Sequence, residues 1–161
     1  MKPAIDNKDK GMMTSNRRWA GLFTVVLMLL LLVFFAYHQW KKTGFFTDSF
    51  GTAEMLALYV PVVISMVPPI QRAIQGRINP ARPLEAVSDL SLAIGSIWLR
   101  YHFPFNFAHL ADPFPVGMQF AFTWITNNVG RFILLLQIVI GFISAFTTMV
   151  SYLSERRKNP Q

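Results

Sequence analysis

Two stretches of this chain carry no formal charge and are long enough to cross a bilayer as helices: residues 19–40, 22 in number, and residues 132–154, 23 in number. At about 1.5 Å of rise per residue, each covers the roughly 30 Å of a hydrocarbon core. The rest of the sequence has to be read around them. Residues 53–74 form a third apolar segment, uncharged from Met55 to Gln71. Residues 84–103 form a fourth, whose uncharged centre, 90–99, is too short to span alone and needs its flanks. The sequence predicts an all-α integral membrane protein: a four-transmembrane-helix bundle over 19–154, with spans near 19–40, 53–74, 84–103 and 130–154.

Composition agrees with a bilayer setting. Apolar residues make up 53% and charged residues 14%, against roughly 25% charged in soluble domains. That excludes a disordered chain and a nucleic-acid arm, so no nucleic-acid partner is expected. The net charge of +7 comes from basic residues at the ends of the apolar runs, where they orient a membrane protein. The chain has no Cys, which removes disulfides, thiolate metal sites and Cys nucleophiles.

The segment 1–18 reads as a flexible polar tail and 155–161 as a basic one. Arg17 and Arg18 open the first run as they would a twin-arginine signal. The run is longer than a signal's apolar region and no small-x-small site precedes Lys41, so an uncleaved anchor is the better reading. In the second segment Thr52 suits the N-cap and Glu54 the first turn. Pro61 should kink this helix, Pro68 and Pro69 should break it, and Gly76 should stop it.

Residues 104–128 fit neither a span nor a solvated loop. Phe103, Phe105 and Phe107 alternate with Pro104 and Asn106, and the apolar run 116–125 is too short to span. This region reads as an aromatic-rich interfacial cap between helices 3 and 4, with Asn128 as N-cap of the last helix. Counting Lys and Arg, eleven of the fifteen lie on one side if both termini are cytoplasmic, which an even number of spans requires. The expected location is the plasma or inner membrane.

Three constellations stand out. Glu85, Ser88, Asp89, Ser96 and Arg100 fall on one arc of the third helix. They form either a polar pathway or ligand groove, or headgroup contacts with two packing serines. Gln137, Gly141, Ser144, Thr148 and Ser151 recur at four-three spacing, a helix-packing seam that serves the bundle itself or a partner. His38, His102, His109 and Asp112 share the non-cytoplasmic side and offer a weak metal or haem set that matches no recognised spacing. Phosphate-loop, dinucleotide and nucleophile-elbow motifs are absent. Beyond the lipid bilayer, the expected partner is a second copy or a larger membrane complex. The leading expectation is a non-enzymatic subunit or scaffold. A small transport or lipid-handling protein using the kinked helix 2 is the alternative, and a metal- or haem-binding protein the third.

Overall fold

The computed structural model describes the backbone of residues 15–76 and 81–158 and the side chains of 19–76 and 81–157. Among these residues the chain is all-helical. Helix α1 is Ser15–Lys41, α2 is Thr52–Gln75, α3 is Arg82–His102, α4 is the single turn Val116–Gln119, and α5 is Asn127–Lys158. Short 3-10 turns at Phe107–His109 and Phe120–Phe122 flank α4. Of the expected tails, 1–18 and 155–161, residues 1–14 and 159–161 lie outside the described residues, as do connector residues 77–80, whereas 15–18 belong to α1 and 155–158 to α5.

Helix α2 departs from its sequence reading in two ways. Gly51, not Thr52, is the N-cap, and the Glu54 carboxylate accepts the Gly51 N–H at 2.9 Å, closing half of a capping box. The helix also runs unbroken through Pro68 and Pro69 to a left-handed Gly76 cap. A proline frees the carbonyl four residues earlier, but inside a packed bundle a neighbouring helix can satisfy it. All three prolines of α2 are buried against α1 or α3. The start of α5 differs too: it begins at Asn127, so Asn128 is within the helix rather than its cap.

The long helices pack in sequence, α1 on α2, α2 on α3 and α3 on α5. Helix α1 offers a narrow stripe to α2, with Gly21, Val25, Met28, Leu32 and Phe35 half-buried at four-three spacing and most other positions exposed. Helix α5 is similar: Gly130, Leu134, Gln137, Gly141, Ser144, Thr148 and Tyr152 face inward. Helix α3 sits between two neighbours and is buried on opposite sides.

Three helical segments are long and apolar enough to cross a membrane, Trp19–Lys41, Thr52–Gln75 and Asn127–Arg157. Helix α3 is not among them, because Glu85, Asp89, Arg100 and its serines lower its hydropathy. Like α2 it packs between two neighbours, and its polar groups meet protein. Arg72 pairs with Glu85 at 3.0 Å and Arg82 with Glu155 at 2.8 Å, tying α2, α3 and α5 together at one end. At the other end Arg100 donates to the Arg131 carbonyl at 2.7 Å.

At this second end, two loops are knitted together. Phe46 and Phe105 form an isolated antiparallel bridge; Asn106 N–H donates to Phe45 O at 2.7 Å and Thr47 N–H to Pro104 O at 3.0 Å. Around the bridge Phe45, Phe103 and Phe105 are buried, and Phe35, Phe46, Phe50 and Phe107 pack against them. Phe45 lies within 5.6 Å, centroid to centroid, of the rings of Phe46, Phe105 and Phe107.

Candidate ligand cavity

Directly beneath this aromatic cluster lies a cavity of about 290 Å³. Helix α1 contributes Leu31, Phe34 and Phe35 to its wall, α2 contributes Ala57, Leu58, Pro61 and Val62, α3 contributes Leu92, Ser96 and Leu99, and α5 contributes Ile133, Leu134 and Gln137. Phe45, Phe105, Phe107 and Leu110 form its roof. Ser96 and Gln137 are the only polar side chains among the lining residues. An apolar cavity of about 150 Å³ already accommodates a benzene ring, so this volume holds a larger apolar group. Helices α1 and α5, the two ends of the packing order, both contribute to its wall.

The shape of the cavity depends on one close approach. A Cβ on Gly95 would stand 2.5 Å from the Ala57 carbonyl oxygen and 2.9 Å from Pro61 Cγ. Ala57 O is the carbonyl that Pro61 deprives of its helical partner. A side chain at position 95 would collide with that freed carbonyl, so the close approach of α3 to α2 at Pro61 requires glycine there. Gly130 has a comparable role under the roof, where the Phe107 ring lies against the helix surface that a Cβ would occupy.

A second groove, of about 340 Å³, runs between α3 and α5. It is lined by Asp89, Leu92, Ile133, Leu136, Gln137, Ile140, Gly141 and Ser144. Leu92, Ile133 and Gln137 line the cavity as well, so the two spaces adjoin. In the groove Ser144 Oγ donates to Asp89 Oδ2 at 2.5 Å.

The sequence-predicted residues separate by location. Of the α3 arc, Ser96 reaches the cavity and Asp89 the groove. Ser88 is buried, and Glu85 and Arg100 are engaged near the helix ends with Arg72 and Arg131. Of the α5 seam, Gly141 and Ser144 touch α3 at Asp89 and Ala93, Thr148 is half-buried, and Ser151 is exposed. The inward stripe continues instead through Tyr152, because a 3.6-residue helix reaches that face in a step of four from Thr148.

The histidines gather only in part: His38, His109 and Asp112 lie within electrostatic reach of one another, and His102 stands apart. His38 is 1% exposed, with Nδ1 2.5 Å from Thr43 Oγ1 and its ring against Phe34 and Phe45. His109 pairs with Asp112 at 3.1 Å, whereas His102 lies on α3 with its ring on Trp98. Among the described residues no three His, Cys, Asp or Glu side chains come close enough to hold a metal ion.

No family model, curated protein or solved structure matches this chain. Function is therefore argued from the cavity and its surroundings. The sequence reading missed Gly95, Gly130 and the Phe45–Phe46 pair. The pair carried a signal, two adjacent rings in a loop between Lys42 and Asp48.

Proposed function

We propose that the chain is a four-span membrane protein with both termini cytoplasmic, and that it handles lipid by accepting an apolar chain from the bilayer into the cavity beneath the Phe45–Phe105 roof. In this reading α3 spans as well, its 21 residues covering about 31 Å, and residues 104–128 lie in the outer interface. The observation that carries the reading is the cavity itself, walled by all four long helices, almost wholly apolar, and flanked by the two that face lipid. A pocket with an apolar wall and a few convergent polar groups is the usual form of a small-molecule site.

The test is to purify the protein from membranes and weigh what stays bound by native mass spectrometry. A lipid or other long-chain adduct is expected on the parent. Leu134→Trp, which fills the cavity from α5, should remove it while the helical circular dichroism stays unchanged. Equal adducts on both proteins would reject the cavity as the binding place.

The scaffold reading draws on one observation of its own. The exposed apolar faces of α1 and α5 are also where a partner's helix would lie. The α5 seam adds less to it, since Gly141 and Ser144 are engaged with α3. In the same mass spectra, a protein partner retained in place of lipid would favour it. The metal or haem reading draws on the neighbourhood of His38, His109 and Asp112, and elemental analysis and an absorption spectrum of the purified protein test it.

A further inference from the structure

We infer that the ligand is a cationic amphiphile, an alkyl chain carrying an amine, whose head is held by Asp89 while its tail lies in the cavity. This rests on the reading of the cavity given above and names the class of molecule it takes. Three features support it. The groove containing Asp89 shares Leu92, Ile133 and Gln137 with the cavity wall, so one elongated molecule reaching past these side chains would occupy both. From Asp89 to Leu99 at the upper wall the distance along α3 is about 15 Å, the scale of an alkyl tail rather than of a compact solute.

Asp89 also lacks a counter-charge. The two cations nearest along its own end of the bundle are already committed, Arg72 to Glu85 and Arg82 to Glu155. Asp89 makes no ion pair among the described residues, and its one recorded side-chain partner is the Ser144 hydroxyl on Oδ2. A carboxylate on a helix facing a groove within the apolar zone is costly unless a donor or cation meets it. A ligand ammonium supplies both charge and donors, and a charge-assisted bond to the remaining oxygen is among the stronger hydrogen bonds. Finally, the polarity runs the right way. Asp89 lies toward the end with the ion pairs and the basic C-terminus, and the apolar cavity lies toward the aromatic roof. A molecule whose head meets Asp89, level with Ser144 in the middle of α5, therefore lays its tail toward the roof.

The experiment titrates dodecylamine and dodecanol, separately, into the full-length protein in zwitterionic nanodiscs at pH 7, with bound adducts counted by native mass spectrometry. The parent should bind dodecylamine about tenfold or more tightly than dodecanol, the worth of one charge-assisted contact. Asp89→Asn should abolish that difference by weakening the amine alone. Ser144→Ala, which keeps the carboxylate, should preserve it. The preference measured on the parent stands even if Asp89→Asn fails to fold. Equal binding of both probes by the parent would overturn the amine assignment and leave the apolar cavity reading in place. Binding of neither would overturn both. A preference for dodecyl phosphate over dodecylamine would overturn the assignment in favour of an anionic ligand.

Discussion

At Gly141 a Cβ would stand 2.9 Å from Asp89 O and 3.0 Å from Ala93 Cβ, and at Gly95 only 2.5 Å from Ala57 O. These glycines set the separations of α3 from α5 and from α2. Gly95→Ala should force α2 and α3 apart and destabilise the fold by about 1–3 kcal/mol, as overpacking does in a filled core. Gly141→Leu should cost about the same or more by separating α3 from α5. Gly117, where a Cβ meets nothing within 4 Å, is the control. Gly117→Ala should change stability by less than about 0.5 kcal/mol. Thermal unfolding in one detergent compares all three, and an unchanged midpoint for Gly95→Ala would mean that the helices approach less closely than described. Gly141 was legible in the sequence because Ser144 and Thr148 repeat its spacing. Gly95 was not, because its reason for being small lies on another helix, at a carbonyl freed by Pro61.

At the level of elements, the connection between α3 and α5 carries the sharpest expectation. Val116, Met118, Phe120 and Trp124 are all more than half exposed, while Phe114 stacks on Phe122 at 4.5 Å. A segment that turns large apolar side chains outward on this scale suits the acyl–headgroup boundary, where rings avoid the loss of leaving them in water. Brominated lipid should therefore quench Trp124, observed in a variant with Trp19, Trp40 and Trp98 changed to Phe. Protease added from outside should fail to cut between residues 103 and 124 while the protein is in membranes. Rapid cleavage without quenching would place the segment in water. That something irregular and aromatic fills this stretch was readable from its alternating Phe, Pro and Asn. Its attachment to the α1–α2 loop was not, because backbone hydrogen bonds between distant loops leave no periodicity behind. The continuity of α2 through Pro68 and Pro69 was hidden for a related reason. Proline's local penalty is visible in a sequence, and the neighbouring helix that offsets it is not.

For the whole molecule, the proposed orientation rests on charge: Arg72, Arg82, Arg156 and Arg157 stand at one end and Lys41, Lys42, Arg100 and Arg131 at the other, and basic residues of a membrane protein favour the cytoplasmic side. Lys8→Cys and Asn159→Cys should both resist an impermeant thiol reagent in intact cells and react after permeabilisation. The natural chain has no Cys to confuse the result. Labelling of one site and not the other would mean an odd number of spans, with α3 failing to cross. The apolar runs announced three of the long helices directly. The fourth was ambiguous because a central helix is selected for what it meets inside the protein, and hydropathy registers only what lipid would tolerate.

The bridge between Phe46 and Phe105 also bears on how the chain is made. Chains emerge N-terminus first. The α1–α2 hairpin leaves the ribosome with the Phe45 carbonyl, the Phe46 edge and the Thr47 N–H still lacking the strand partners that α3 must deliver. Until then the hairpin has no lid, and its inner face is open to the surrounding lipid. Closure comes only once the second half has arrived, and it joins both halves in a single step. A hydrocarbon chain resting against α1 and α2 at that moment would be enclosed by the act of assembly, so the first molecule held under the roof can be captured during biogenesis rather than admitted afterwards.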